Sequence, residues 1–199
     1  MILIATPTRD TVTAGFAADL VKLCRRHPDA RFAAALGIYI ANLRQSCVSV
    51  AQQVGASHIL FLDSDMRFPE DTLERLLAAD VDIVAANYVQ RTMPEWWVAR
   101  RNGSTLSSVG RTGLEPVASV GCGVMLIRMT VFDRIRRRPW FSTPYDDAIH
   151  DHLGEDLYFC REAQGAGFEV WIDHDLSQAV RHQGMVELGV NSHREPILA

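Results

Sequence analysis

The stretch His58-Ile59-Leu60-Phe61-Leu62-Asp63-Ser64-Asp65-Met66-Arg67-Phe68-Pro69 decides how the rest of the chain is read. Four apolar residues, Ile59 to Leu62, run into two acids, Asp63 and Asp65, with Ser64 between them. A short apolar run bounded by polar turn residues reads as a buried strand. Pro69, Glu70 and Asp71 then open an amphipathic segment that reaches Ala79. Proline suits the first position of a helix, and acids suit its first turn. A strand that ends in carboxylates just before a helix lies where open α/β sheets place their ligands. Two carboxylates in a short loop match a hard divalent cation carrying phosphates. The same spacing also serves as a pair of turn and capping carboxylates.

Context has to separate these roles, because the pattern is common. Asp-x-Asp is expected about once by chance in a chain this long. This chain holds three such pairs: Asp63/Asp65, Asp80/Asp82 and Asp173/Asp175. Asp80 and Asp82 lack a preceding apolar run and read as turn residues between a helix and a strand.

Working outward, apolar runs and helical spacings alternate. Ile2 to Ala5 reads as a first strand that breaks at Thr6-Pro7-Thr8-Arg9-Asp10. Thr13 to Arg26 carries Phe16, Ala17, Leu20, Leu23 and Cys24 at helical spacing. Ala30 to Ile40 contains a second apolar run, and Asn42 to Val54 a second helix with Gly55 beyond its end. Val81 to Ala86 is another strand. This alternation predicts a mixed, mostly parallel sheet flanked by helices.

From Val89 to Val120 the pattern changes to turns marked by Asn102-Gly103 and Gly110 to Gly113, which predicts a small antiparallel insertion. Val124 to Ile127 is strand-like, and Thr130 to Arg138 reads as a short helix capped by Thr130. Pro139 to Gly154 looks irregular, the kind of long loop often used functionally. Glu155 to Gln164 is helical, and Phe168 to Ile172 is the last strand. We therefore expect one catalytic-type domain over residues 1–184 and a C-terminal tail over 185–199.

With 199 residues, 48% hydrophobic and 22% charged, the chain can bury a full core. A net charge of −4 supplies no overall basic field for nucleic acid or anionic membrane. The local cluster Arg134, Arg136, Arg137 and Arg138 reads as a solvated helix end, where cations complement the dipole. Cys24, Cys47, Cys122 and Cys160 are scattered without a CxxC pair, as expected of reduced thiols. No apolar run reaches the ~20 residues of a membrane span, and no signal peptide is evident. The expected location is cytoplasmic.

Two further clusters carry chemistry. Gly154-Glu155-Asp156-Leu157 begins a helix after the irregular segment. Its acids suit the helix dipole, or else supply a general base that accepts a proton from an attacking hydroxyl. His174, in Asp173-His174-Asp175, and His182, in Arg181-His182-Gln183-Gly184, both follow the last strand. Either histidine can complete a metal site with Asp63 and Asp65.

Taken together, Ile-Leu-Phe-Leu-Asp-Ser-Asp-Met, Val120-Gly-Cys-Gly-Val-Met-Leu-Ile, and Gly-Glu-Asp-Leu-Tyr-Phe-Cys-Arg with Arg-His-Gln-Gly resemble nucleotide-sugar glycosyltransferases of the GT-A fold. The similarity is to small bacterial and phage members of the family-2-like group and spans most of residues 1–184. It implies that Asp63 and Asp65 are the DxD motif, with Asp65 the main metal ligand and Asp63 near the ribose or a metal-bound water. Thr6, Pro7, Thr8 and Arg9 would face the nucleotide base and ribose, and Ser64 would lie with the DxD acids at the donor.

Arg44 would contact the donor, although Gln45 follows it where similar enzymes carry asparagine. Gly121, Cys122 and Gly123 would form a wall beside the donor sugar. Asp156, or its neighbour Glu155, would be the base. His182 would be the third metal ligand, and Trp140 and Tyr145 acceptor-side aromatics.

The resemblance thus implies a transferase that uses Mn²⁺ or Mg²⁺ and a UDP- or GDP-linked sugar. Its acceptor would be a hydroxyl on a glycan, small molecule or modified macromolecule, and Asp156 would act as base in an inverting displacement. Three alternatives stay open: a retaining transferase of the same fold, a nucleotidyltransferase, and a sugar-nucleotide-binding module without turnover. Thr6-Pro7-Thr8-Arg9 has no glycine, whereas a nucleotidyltransferase phosphate loop usually needs several.

Overall fold

A computed structural model of the chain describes residues 1–91 and 96–184. The expected tail, 185–199, lies outside the described residues. In chain order the elements are β1 (Ile2–Thr8), α1 (Ala14–Arg26), β2 (Arg31–Leu36), α2 (Ile40–Gln53), β3 (His58–Leu62) and β4 (Met66–Arg67). There follow α3 (Thr72–Ala78), β5 (Ile83–Ala86), β6 (Arg100–Arg101), β7 (Ser104–Thr105), β8 (Leu114–Val117), β9 (Val124–Arg128) and α4 (Met129–Arg134). The chain continues through β10 (Tyr145–Asp146), β11 (Asp151–His152), α5 (Glu155–Gly165), β12 (Val170–Asp173), α6 (His174–Ser177) and β13 (Arg181–His182).

Seven strands form the central sheet in the order β2-β1-β3-β9-β5-β12-β8. The pairings run β1, β2, β3, β5 and β12 one way and β8 and β9 the other. The expected mixed, mostly parallel α/β sheet is therefore present. Its central strands are built from the apolar runs: Ile59 to Leu62, Ile83 to Ala86 and Val124 to Ile127 are all buried. Strands covered on both faces need apolar residues at every position rather than alternation.

β2 is one of the two edge strands, and Phe32 and Leu36 on it stay exposed. The small antiparallel insertion is also present, as the β6–β7 hairpin turning on Asn102 and Gly103. Both turn residues have positive φ, 51° and 78°, the combination that favours Asn-Gly in two-residue hairpins.

Several boundaries differ from the sequence reading. β1 does not break at Thr6 but runs to Thr8, because β2 pairs alongside as far as Thr8↔Leu36. α3 begins at Thr72, with Asp71 as its N-cap, so Pro69 lies before the helix rather than inside it. α4 ends at Arg134, and Arg128, not Thr130, precedes its first turn. The irregular segment after Pro139 contains the β10–β11 ribbon.

That segment is anchored from within. Trp140 and Phe141 are buried, and Phe141 stacks on Phe159 with 4.9 Å between ring centroids. Phe61 and Phe132 also meet this cluster, tying β3, α4 and α5 together. Full burial of each such side chain contributes about 1.5–3 kcal/mol.

Candidate active site

The acidic loop begins where β3 leaves its ladder. Leu62 pairs with Val124, and the Asp63 amide donates to the Gly123 carbonyl at 2.9 Å. The chain then turns tightly, with the Met66 amide donating to the Asp63 carbonyl at 3.0 Å. β4 follows and pairs antiparallel with β13, placing His182 opposite Met66. The Gln183 amide donates to the Asp65 carbonyl at 2.9 Å. Residues far apart in sequence thus lie beside the same loop.

A latch holds this arrangement. Arg67 Nε donates to Asp19 Oδ2 at 2.5 Å, and the Phe68 amide donates to the same oxygen at 3.3 Å. Asp19 is buried on α1. The Arg67 side chain crosses Gly15 so closely that a Cβ there would stand 2.7 Å from its Cδ. The Thr13 amide also donates to the Ser64 carbonyl at 3.0 Å.

Asp65 is the meeting point. Its Oδ1 lies 3.5 Å from His182 Nε2, and its Oδ2 lies 2.9 Å from Arg91 Nη1. Burial alone would raise its carboxyl pKa, but the His182 hydrogen bond and charge, with Arg91, hold it below the usual value. His182 Nδ1 sits 3.1 Å from the Val89 carbonyl. A carbonyl only accepts, so Nδ1 carries a proton, and Nε2 is the ring nitrogen that faces the acidic loop. Tyr88 packs edge-on against this imidazole at 5.3 Å.

Asp63 faces the other way. Arg44 Nη2 contacts its two carboxylate oxygens at 3.0 and 3.1 Å, and Arg44 Nε donates to Glu155 Oε1 at 3.1 Å. α2 turns its buried face, with Leu43, Cys47, Val48 and Ala51, toward the core, and Arg44 sits on that face. A guanidinium removed from water needs such carboxylate partners. Among the described residues its Nη1 has no hydrogen-bond partner.

Beside Glu155, Asp156 occupies the first turn of α5. Burial, and then the charge of Glu155, push its carboxyl up to about 6, against the opposing pull of Arg44. Its Oδ1 accepts from the Leu157 amide at 2.7 Å. The same oxygen lies over Gly154, where a Cβ would come within 2.8 Å of it.

A cavity of about 440 Å³ gathers these groups. Its lining includes Pro7, Thr8, Arg9, Arg44, Asp63, Ser64, Asp65, Glu155, Asp156 and His182 from the sequence expectation. Thr6 is not on that lining; it is buried within β1. Gly121, Cys122 and Gly123 are also buried away from it. The glycines answer to Tyr88: a Cβ at Gly121 or Gly123 would stand 2.5 or 2.4 Å from the phenol oxygen. The Gly123 amide donates to that oxygen at 3.0 Å.

Of the remaining expectations, Trp140 and His174 are taken up by the fold. Trp140 is a core residue whose indole N–H donates to the Phe132 carbonyl at 3.0 Å. Tyr145 is exposed and packs on His152. His174 is buried between Ser108 and Glu115, each at 2.9 Å, so both ring nitrogens are occupied.

Arg91, Tyr88 and Asp19 were not singled out from the sequence. Arg91 and Tyr88 lie beyond β5, where no periodicity points to a site. Asp19 is an acid on an otherwise apolar helical face, a signal that was available.

A larger depression, about 700 Å³, is lined by Asp133, Arg134, Ile135, Arg136, Arg137, Glu162, Gly165 and Ala166. It holds the arginine cluster at the end of α4, with Glu162 already paired to Arg137. The smaller cavity has the convergent, perturbed ionisable groups that mark a reactive site.

No protein-family model and no curated protein matches the sequence. Among solved structures, A197 from STIV aligns with a TM-score of 0.61 at 16% identity, covering 97% of this chain and 99% of that one. S. aureus TarS 1–349 in complex with UDP-GlcNAc aligns at 0.52 and 12% identity, covering 98% of this chain and 61% of that one. The fold is GT-A-like. At these identities the likeness is one of fold. Within the GT-A-like sheet, the cavity lies at the ends of β1 and β3, where the acidic loop leaves the ladder. No helix among the described residues is long and apolar enough to cross a membrane.

Proposed function

We propose that the chain is a metal-dependent glycosyltransferase that moves a hexose from a UDP- or GDP-sugar to an acceptor hydroxyl with inversion. One observation carries this reading: Asp65 with His182, and Asp156 with its raised pKa, line the same strand-end cavity of a GT-A-like fold. The solved TarS complex contains UDP-GlcNAc, which makes a UDP-linked sugar the first donor to test.

The residues fit a divalent cation through two protein ligands. Asp65 offers a hard carboxylate and His182 an imidazole lone pair, a mixed set that favours Mn²⁺ over Mg²⁺. Among the described residues, no group of three or more His, Cys, Asp and Glu side chains is placed to hold an ion. Asp63 is engaged by Arg44, which suits a role near the ribose or a metal-bound water. The remaining positions would fall to the donor's phosphates and water. When bound, the ion neutralises charge that develops on the leaving diphosphate.

The protein residues do the rest. Pro7, Thr8 and Arg9 border the nucleotide end of the cavity, and Arg44 holds Asp63 and Glu155 in place. Asp156 accepts the proton of the acceptor hydroxyl while that oxygen bonds to the sugar C1. The C1–O bond to the diphosphate breaks, and the bonding pair leaves with the nucleoside diphosphate. A base whose pKa is about 6 is ionised at pH 7 yet still basic enough to help.

The test is a thermal-shift screen of UDP- and GDP-sugars with and without Mn²⁺, followed by donor hydrolysis and transfer assays on the hits. Stabilisation that requires both sugar nucleotide and metal is expected. If no UDP- or GDP-sugar shifts the protein in Mn²⁺, the proposal fails.

A further inference from the structure

We propose that Arg91 is an exchanging residue: it pairs with Asp65 in this structure and passes to the donor's diphosphate when a divalent cation takes Asp65. This rests on the transferase reading and adds a residue and a coupling to it.

Asp65 already has a partner on each oxygen: the Arg91 guanidinium, with Nη1 2.9 Å from Oδ2, and the His182 ring, with Nε2 3.5 Å from Oδ1. His182 can accept a metal without leaving, because its Nδ1 is turned to the Val89 carbonyl and its Nε2, which carries a lone pair whenever the ring is neutral, faces the loop. Arg91 cannot behave in that way. Arginine stays protonated and has no lone pair to give, so it repels any cation that binds the same carboxylate.

The side chain is built to move a short distance. Arg91 is 53% exposed and Asp65 only 20%, so the guanidinium approaches the carboxylate from the open rim. Its backbone neighbours are held: the Val98 amide donates to the Tyr88 carbonyl at 2.9 Å, and the Gln90 amide to the Trp96 carbonyl at 2.8 Å. The stem crosses Gly184, where an added Cβ would lie 3.4–3.6 Å from Arg91 Cγ, Cδ and Cβ. The stem of Arg91 is thus held near Asp65 while the side chain as a whole stays about half exposed at the rim.

Arg91 shares the cavity wall with Pro7, Thr8, Arg9 and Arg44. Once released from Asp65, its planar fork matches the oxygens of a phosphate, which arginine can bind through two parallel hydrogen bonds. Metal alone would cost the Arg91–Asp65 pair. Metal with a diphosphate would replace that pair with a new one. The two ligands should therefore bind cooperatively, and each must enhance the other by the same factor.

The experiment measures Mn²⁺ alone by electron paramagnetic resonance. Calorimetry then follows UDP, GDP and inorganic diphosphate in saturating Mn²⁺, for wild type, Arg91→Ala and Arg91→Gln. In the variants Mn²⁺ alone should bind more tightly. The preferred nucleoside diphosphate and inorganic diphosphate should bind about tenfold more weakly or worse, the loss expected for one charge-assisted pair. Circular dichroism checks that each variant is folded, and the glutamine variant supplies the answer if alanine disturbs the rim.

Unchanged Mn²⁺ and diphosphate affinities in a folded variant would overturn the exchange while leaving the transferase reading intact. Parallel weakening of both would also overturn it, since that marks a residue that merely shapes the site. If wild type binds neither UDP nor GDP with Mn²⁺, the transferase reading falls and the exchange falls with it.

Discussion

Two Asp-x-Asp loops leave this sheet, one after β3 and one after β12, and they have opposite fates. In the second, Asp173 Oδ1 accepts from the Leu176 amide at 2.9 Å and caps α6. Asp175 Oδ2 accepts from the Gly113 amide at 2.8 Å, and His174 is bonded on both sides. Every one of those groups is spent on the fold. In the first loop, Asp65 faces a cavity, and among the described residues an imidazole and a half-exposed arginine stand against it. Asp63 beside it leans on an Arg44 that keeps one nitrogen without a hydrogen-bond partner among the described residues. What separates a site from a turn is therefore which groups the fold leaves to be completed by something else.

The sharpest break in that comparison comes from Asp156→Asn. Transfer should fall by about 10²–10⁴, while Mn²⁺-dependent donor binding measured by calorimetry is retained. Undiminished transfer would remove the base. In wild type, transfer should decline on the acid side with a midpoint near pH 6, because the base must be unprotonated.

The same shift has a stability sign. The folded state binds this proton more tightly than the unfolded state, so stability falls as pH rises from 3.8 to about 6. Asp156→Asn should therefore raise stability at pH 7, by about 1–2 kcal/mol in denaturant melts. That is less than the shift alone converts to, because the group is partly solvated.

Asp65→Ala should weaken Mn²⁺-dependent donor binding by at least about 100-fold, since even residues that only support a ligand cost up to that much. Asp175→Ala should leave it unchanged. Equal affinities for Asp65→Ala and wild type would erase the distinction between the two loops.

Gly123→Ala probes the floor shared by Tyr88 and the first loop. A methyl group forced against the Tyr88 hydroxyl should cost about 1–3 kcal/mol of stability. Restoring room with Tyr88→Phe in the same chain should recover part of it. No recovery in the double variant would mean that the contact is not the cause.

The smallest effect belongs to the second loop. Asp173→Ala removes the cap of α6 and should cost about 1 kcal/mol, with donor binding unaffected. A loss of donor binding there would show that this loop too takes part in the site.

Much of this was legible in the chain. The apolar runs Ile59 to Leu62, Ile83 to Ala86 and Val124 to Ile127 became central strands because burial on both faces demands apolar residues throughout. Asn102-Gly103 became a hairpin because both positions take positive φ. The strand order was less legible. Nothing local in Val124 to Ile127 says that β9 runs antiparallel between β3 and β5, since an apolar run looks the same in either direction. Gly121 and Gly123 stood out in the sequence, but their reason lies with Tyr88, 35 residues before Gly123.

By itself, the sequence determined the element types, the α/β alternation and the carboxylates at the end of β3, because propensity and hydrophobic period are local properties. Only the tertiary structure decided which histidine accompanies Asp65. Both His174 and His182 follow the last central strand, and both have acids or turns around them. His182 was chosen by the pairing of β13 with β4, which sets it opposite Met66, while packing against β8 and Ser108 consumed His174. Strand pairing and burial are long-range facts, and the residues that settle them lie up to a hundred or so positions away along the chain.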